Sequence, residues 1–273
     1  MGGLDKHNEY LKKIKTLRLI DDDFMTVCFD GFKEGAQRLL HVMLEREDLT
    51  VTEVHTQQVM KNLNGRDIWL DILAEDNGGC VYNFEIQRSD SGADRKRARY
   101  HSSMLDAHML KSGCEFTDLR ENYVIFITER DVLGGKKPLY RIERVIVDMD
   151  NERFGDGEHI LYVNGEVKDS ETELGKLMHD FFCSDPDDMF NKVFSDRVKY
   201  YKENEEGVKV MCEVFDEVRR EGREEGRVEG IEKAQENGAI GLLSLGKLSH
   251  EEIASALGMS LDKVHELANK RTA

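Results

Sequence analysis

The residues best suited to chemistry stand on two short apolar segments, 67–75 and 80–87. One segment carries Asp71 and the other carries Glu85. The linker between the segments is Asp-Asn-Gly-Gly, and its Asn-Gly and Gly-Gly steps supply the positive φ that tight hairpin turns require. Both segments are rich in β-branched and aromatic residues, so the sequence predicts an antiparallel hairpin with one carboxylate on each strand.

The register of this hairpin follows from its apolar residues, because directly opposed residues point to the same face. Pairing Ile72 with Phe84 gathers the apolar side chains of both strands on one face, whereas a shift by one residue would expose half of them. The same register puts Asp71 opposite Glu85 on the other face, and Gln87 follows on that face.

Two opposed carboxylates at a Cβ separation of about 5 Å can hold one hard divalent cation between them. Their mutual repulsion disfavours the arrangement unless positive charge lies there. Magnesium or manganese would supply that charge and leave positions for water and a phosphate oxygen. The alternative is an exposed polar sheet face on which Asp71 and Glu85 simply meet water.

A basic stretch follows the glutamate strand and opens a helix that is predicted over about 93–112. A phosphate backbone would enter here, with basic side chains that position it rather than read its bases. Tyr100 on the same helix is interpreted either as a support of the site or as a core residue. The predicted DNA-binding residues are Arg88, Arg95, Lys96, Arg97, Arg99 and Tyr100.

The overall charge makes this local patch important, because 39 Lys and Arg against 55 Asp and Glu leave a formal charge of −16. A surface dominated by carboxylates repels phosphates and opposes indiscriminate binding to nucleic acid. Five scattered cysteines without a CxxC pair argue against a zinc site and a disulfide framework. No apolar run approaches the roughly 20 residues of a membrane span, so we expect a cytoplasmic protein with no membrane partner.

Periodicity and glycine positions divide the chain into three predicted segments. Residues 1–200 mix helix and strand signals, including a buried strand at 122–128, and are expected to form one domain. Residues 201–238 are expected to form a charged helical connector. Residues 239–273 return to a compact amphipathic pattern and are expected to form a small helix-turn-helix-like unit.

Small residues recur at every fourth position of the predicted connector: Gly222, Gly226, Gly230, Ala234 and Gly238. Each interior glycine costs a helix about 1 kcal/mol relative to alanine. One interpretation is a frayed, solvated helix, which is common for charge-rich segments. The other is close packing of this helix against a second copy, which predicts a homo-oligomer.

The last segment carries helix-start signals before two short amphipathic stretches. Ser249 and Glu252 form a capping box, and Leu257, Val264 and Leu267 are expected to pack the two helices together. A glycine turn between two such helices is typical of a helix-turn-helix unit that reads DNA, but it is equally typical of any small helical hairpin. The charges of this segment roughly cancel, so both interpretations stay open.

Asp71, a glycine-bearing turn, Glu85-Ile86-Gln87, and a basic helix with Arg97-Ala98 and Tyr100 occur here in one order. This combination resembles the PD-(D/E)XK nuclease superfamily. More narrowly, it resembles the PD-(D/E)XK nuclease family transposases, also called recombination-promoting nucleases. The glutamate- and glycine-rich tail is also typical of that family, and the resemblance spans about 20–240.

The resemblance implies an α/β protein with an αβββαβ core and a C-terminal helical extension. It implies Mg²⁺ or Mn²⁺ held by Asp71, Glu85 and the carbonyl group of Ile86, with Glu34 as the candidate for a further carboxylate. It also implies hydrolysis of DNA phosphodiester bonds by a metal-activated water, in a protein associated with mobile elements or recombination. The implied catalytic positions are Asp71, Glu85 and Gln87.

Gln87 departs from the superfamily pattern, which has lysine at this position. Lysine would polarise water and offset the charge of the phosphate, whereas glutamine can only form neutral hydrogen bonds. Lys96 or Arg97 on the next helix could supply the missing charge. Two hypotheses follow: a Mg²⁺-dependent DNA endonuclease, and a catalytically degenerate DNA-binding or oligomerising assembly protein on a nuclease scaffold.

Overall fold

The computed structural model describes residues 3–62, 65–88 and 92–272. The chain forms two compact units, Met1–Cys212 and Glu213–Ala273. The first unit contains the sheet and the predicted site. A single long helix, Glu205–Leu245, runs without a break through most of the segment that was predicted as a connector. None of the helices in the described ranges is both long and apolar enough to cross a membrane.

The order of the elements reproduces the predicted core. The described α-helices are α1 (Gly3–Thr16), α2 (Asp22–Phe29), α3 (Lys33–Leu44), α4 (Arg95–Met109), α5 (Glu173–Phe182), α6 (Lys192–Glu203), α7 (Glu205–Leu245), α8 (His250–Leu257) and α9 (Leu261–Thr272). The strands are β1 (Val51–Met60), β2 (Ile68–Asp76), β3 (Val81–Gln87), β4 (Asn122–Thr128), β5 (Leu139–Ile142), β6 (Val145–Ile146), β7 (Glu152–Arg153) and β8 (Glu158–Asn164). The run from α3 to β4 is the αβββαβ core, and the predicted fold class is confirmed.

Six strands form one mixed sheet in the order β1-β2-β3-β4-β8-β5. The pairs β1–β2, β2–β3 and β5–β8 are antiparallel, whereas β4 runs parallel to both of its neighbours, β3 and β8. Parallel neighbours need a crossover connection, and α4 provides it between β3 and β4. Residues 81–86 of β3 are all buried, as expected for a strand covered on both faces.

The predicted hairpin register is confirmed over the part of the hairpin that forms a ladder. Ile72 lies opposite Phe84, and Ala74 lies opposite Tyr82. The turn between the strands contains Gly79 at φ 80°, a left-handed conformation that favours glycine. The turn chemistry and the apolar alternation therefore fix this hairpin locally.

Helix α4 packs on the sheet beside the predicted site. Ala98 and Leu105 of the helix belong to one buried cluster with Phe126 of β4 and Tyr162 of β8. The spacing of seven residues between Ala98 and Leu105 keeps both on one face of the helix. Because this face packs on the sheet, the first turn of α4, with its basic residues, is held next to the end of β3.

The second unit is a small helical cluster. Ser249 and Glu252 form the predicted capping box, and Gly258 ends α8 in the left-handed conformation at φ 62°. Val264 and Leu267 are buried, as predicted, with Leu257 packed against them. The local signals of this segment are therefore sufficient to define its helices.

Gly222, Gly226 and Gly230 of the predicted stripe lie on the exposed surface of α7, whereas Gly238 is partly buried. A Cβ atom built at Gly222, Gly226 or Gly230 would meet no described atom of its surroundings within 4 Å. At Gly238 it would lie 3.3 Å from the side chain of Leu257. The packing of this stripe against a second copy stays a prediction.

Candidate active site

Asp71 lies where the β2–β3 ladder stops. The described ladder runs from the pair Glu75–Val81 to the pair Ile72–Phe84 and does not include Asp71. Instead, Asp71 Oδ2 accepts a hydrogen bond of 2.8 Å from the backbone N–H of Ile86. The carboxylate thus takes the place of a ladder partner, and it is held beside β3 by this contact.

Glu85 is buried rather than exposed, with a side chain that is 0% accessible. Its Oε2 accepts a hydrogen bond of 2.8 Å from Arg97 Nη2, and its Oε1 lies 3.3 Å from His101 Nδ1. Oε1 has no hydrogen-bond partner in the described structure. The alternative of a solvated polar face is therefore wrong for Glu85, because α4 covers it.

His101 contacts Glu85, Arg97 and Asn83. Its Nε2 accepts a hydrogen bond of 3.3 Å from Arg97 Nε. Nδ1 also lies 3.2 Å from the side-chain amide of Asn83. Asn83 precedes Glu85 by two residues on the same face of β3, so one helix face binds both polar side chains of that strand.

The surroundings of Asp71 disfavour the ionised form of its carboxyl group. Burial is the largest cause, and together with the nearby charges of Glu85 and Asp22 it raises the pKa of Asp71 from 3.8 to about 7. The Ile86 N–H group and Arg97 oppose this shift only partly. Three carboxylates thus influence one another, with one arginine among them.

Asp22 is the residue that the sequence reasoning missed. It begins α2 within a run of three aspartates, 21–23, and its charge reaches Asp71. Glu34 is exposed near the start of α3, and no described contact joins it to Asp71 or Glu85. The aspartate run at a helix start was the available signal, although acidic residues at that place usually serve the helix itself.

Gln87 lies beside Gly92, shortly before the start of α4. A Cβ atom at Gly92 would lie only 1.6 Å from Gln87 Oε1, so the absence of a side chain at Gly92 makes room for the amide. The carbonyl group of Gly92 accepts a hydrogen bond of 3.0 Å from Arg97 Nη1. Gln87 and Arg97 therefore meet at Gly92, and Arg97 brings the positive charge that glutamine lacks.

The other predicted basic residues have different surroundings. Arg88 forms ion pairs with Asp21 at 3.1 Å and Glu129 at 3.7 Å, so its charge is already engaged. Arg95, Lys96 and Arg99 are exposed on the first turns of α4. Of this set, the structure brings Arg97 alone into contact with Glu85 through a described hydrogen bond.

Tyr100 supports the chain that leads into β2. Its hydroxyl group donates a hydrogen bond of 2.6 Å to the carbonyl group of Arg66 and accepts one of 2.9 Å from the Asn62 side chain. The ring is partly buried against the α4 core. Tyr100 therefore connects α4 to the entrance of the aspartate strand.

The residues at the site fit a hard divalent cation, although the described residues contain no ready-made group of three or more His, Cys, Asp or Glu side chains that could hold a metal. Two carboxylates are close enough to raise a pKa, and Glu85 Oε1 is a buried acceptor without a hydrogen bond. Oxygen donors of this kind are the ligands that Mg²⁺ prefers.

Comparison with known proteins identifies the family. No curated protein and no solved structure matches the chain. A family model described as PD-(D/E)XK nuclease family transposase matches residues 33–234, which is well over half of the chain. The match includes Asp71, Glu85 and Gln87, and the αβββαβ core agrees with it. The chain therefore belongs to the PD-(D/E)XK nuclease family transposases.

Proposed function

We propose that this protein is a DNA endonuclease that depends on Mg²⁺ or Mn²⁺ and acts in the movement or recombination of mobile elements. Membership of its family indicates a nuclease linked to mobile elements. The dependence on a metal, the DNA substrate and cleavage within a strand are proposed here beyond what family membership indicates. The observation that carries them is the pair of adjacent carboxylates at the end of the β2–β3 ladder.

Two carboxylates in this position destabilise the fold unless a cation joins them. Burial and the charge of Glu85 both raise the pKa of Asp71, which means that the ionised pair is disfavoured. Arg97 compensates one oxygen of Glu85, whereas Oε1 has no hydrogen bond and lies 3.3 Å from His101 Nδ1. Such uncompensated charge is typical of sites that bind a cation or perform proton chemistry.

The backbone of β3 offers a further oxygen ligand. The N–H and C=O groups of one strand residue point to the same neighbouring strand, and the Ile86 N–H group points to Asp71. The Ile86 carbonyl group therefore points to the side on which β2 has separated. Asp71, Glu85 and Ile86 would hold the cation, and Asp22 is better placed than Glu34 as a further carboxylate. A cation held there would polarise a phosphate oxygen and lower the pKa of a water molecule.

The remaining residues would orient the substrate and the water. Arg97 fixes the Glu85 carboxylate and adds positive charge where the phosphate arrives. Gln87 can accept or donate a hydrogen bond to the attacking water without changing its protonation. Arg95, Lys96 and Arg99 would bind backbone phosphates at the start of α4.

A plasmid assay tests this proposal. We expect the purified protein to nick supercoiled plasmid in Mg²⁺ or Mn²⁺ and to lose this activity in EDTA. Asp71→Asn and Glu85→Gln should each reduce nicking to the background. Glu75→Gln is a matched control, since Glu75 lies on the same strand and face as Asp71 and pairs with Arg120 at 2.6 Å. Nicking that survives in both site variants would refute the assignment.

Gln87 favours a second candidate function. Without a lysine at this position, the scaffold could serve a DNA-binding or oligomerising assembly protein that no longer cleaves. Metal-dependent nicking by the unmodified protein would exclude this candidate. DNA binding without nicking, together with nicking by the Gln87→Lys variant, would establish it.

We further propose that the protein assembles through α7. Its exposed glycine stripe would let two copies of the helix approach closely, and a symmetric pair would bury identical faces. Such a dimer would place two active sites on one DNA molecule. The sedimentation experiment described below tests this arrangement.

A further inference from the structure

A cleft of about 750 Å³ opens next to the carboxylate pair. One wall is formed by residues 65–69 together with Asn62, and the other is the start of α4. Arg97 and His101 line the cleft, and these are the two residues that contact Glu85. The side chains of Arg97 and His101 therefore lie between the cleft and Glu85. The volume of the cleft falls in the range of about 300–1,000 Å³ that is usual for small-molecule sites.

Trp69 lines this cleft and is 60% exposed. It precedes Asp71 by two residues on β2, so both side chains lie on the same face of the sheet. A tryptophan has a large apolar surface, and an exposed one in a cleft gains from being covered by a ligand. The ring therefore offers a flat apolar surface two residues before Asp71 on the same face of the sheet.

Outside ion pairs, the cleft walls carry more positive than negative charge, with Arg66 and Lys96 against Asp94. Asp67 pairs with Lys61 at 2.7 Å, and Asp94 accepts a hydrogen bond from the backbone N–H of Lys96 at the start of α4. Within the ranges that the structure describes, the side chains of Arg66 and Lys96 form no ion pair. In a chain with a formal charge of −16, these two free cations mark the cleft as a place for an anion.

The wall of the cleft is already held in place. Tyr100 donates a hydrogen bond of 2.6 Å to the carbonyl group of Arg66, and Asn62 donates one of 2.9 Å to Tyr100. These contacts fix the backbone just before Trp69. A ligand that binds here would lose little free energy in ordering this wall.

We propose that this cleft binds an unpaired nucleotide next to the cleaved phosphodiester bond, with its base stacked on Trp69 and its phosphate bound by Arg66 and Lys96. This inference rests on the proposed nuclease function. A paired and stacked base has both faces covered, so only an unpaired base can lie on the indole ring. Base–aromatic stacking is tolerant of sequence, since every base has a π-face. The site would direct cleavage to DNA with single-stranded segments or frayed ends.

The only tryptophan of the chain reports on this contact directly. The full protein is titrated in EDTA, which prevents cleavage, with a single-stranded oligonucleotide, the blunt duplex of the same sequence, and a single strand of abasic sites. We expect the single strand to quench Trp69 fluorescence, and the blunt duplex and the abasic strand to leave it nearly unchanged. Equal quenching by the abasic strand would overturn stacking.

Variants give an independent measurement by fluorescence anisotropy of a labelled single strand. Trp69→Ala should weaken binding about 5-fold to 100-fold, and Trp69→Phe should weaken it less. Phe154→Ala is the matched control, because Phe154 is 59% exposed and does not line the cleft. Unchanged binding by Trp69→Ala would overturn the inference.

The two proposals fail in different ways. Metal-dependent nicking without quenching of Trp69 would overturn the nucleotide site and leave the nuclease function in place. Quenching by the single strand without any nicking would overturn the nuclease function and support the cleft as a site for an unpaired nucleotide.

Discussion

Removing one charge at the active site should stabilise the metal-free protein. Asp71→Asn keeps an oxygen that can accept the hydrogen bond from Ile86, but it removes the charge that Glu85 and Asp22 oppose. Because the pKa of Asp71 is raised in the folded state, that state binds the proton more tightly than the unfolded state does. The stability contributed by the protonated group is complete below about pH 4 and is lost as the pH rises through about 7.

The size of the effect follows from the pKa difference. A rise from 3.8 to about 7 corresponds to about 4 kcal/mol at a pH above both values. Solvent screening of this partly exposed group reduces the expected gain to about 2–3 kcal/mol. The advantage of Asp71→Asn over the unmodified protein should grow between pH 4 and pH 7 and then level off. Mg²⁺ should stabilise the unmodified protein at pH 8 and have little effect on the variant.

Urea unfolding followed by Trp69 fluorescence measures this difference, because Trp69 lies in the first unit and reports its unfolding. The unfolding free energy is compared at pH 5 and pH 8 in EDTA. Glu75→Gln serves as the control and should not show the gain at pH 8, since Arg120 already compensates its charge. A lower stability of Asp71→Asn at pH 8, or an equal change at both pH values, would refute the inferred charge pair.

Three further predictions concern other parts of the chain. Gln87→Lys should raise the rate of Mg²⁺-dependent plasmid nicking by adding positive charge near the phosphate, and a lower rate would show that Arg97 already fills this role. Gly226→Leu combined with Gly230→Leu should release monomers in sedimentation, whereas alanine at both positions should matter less, and an unchanged oligomer with leucine would contradict assembly through α7. Ser249→Ala should lower the stability of the second unit by about 1 kcal/mol, measured by circular dichroism in urea, and no change would mean that the cap is redundant.

Local signals in the sequence were sufficient for the hairpin and the C-terminal helices. The glycine turn, the alternation of apolar residues and the Ser249 cap each determine their own surroundings, and the structure agrees with them. Strand β1, in contrast, is an edge strand with few buried residues, so its own pattern is weak. Its place in the core was implied by the family resemblance alone.

The residues proposed for the site come from the sequence, whereas their environment comes from the structure. The sequence placed Asp71 and Glu85 on one sheet face, but it could not show that the ladder stops at Ile72 or that α4 buries Glu85. The role of Asp22 depends on how α2 packs near β2, which is a long-range contact. Such tertiary effects are invisible to periodicity.

The hydrogen bond between Asp71 and the Ile86 N–H group links the chemistry of the site to the backbone of the sheet. In an ordinary ladder this amide would be protected from exchange with solvent by a neighbouring strand. Here a titratable side chain protects it, so protonation of the carboxylate or its engagement by a cation withdraws electron density from the acceptor. The amide of Ile86 thus becomes a built-in spectroscopic reporter. Its proton chemical shift and its deuterium exchange rate should follow the binding of a proton or a cation at Asp71, without any substrate.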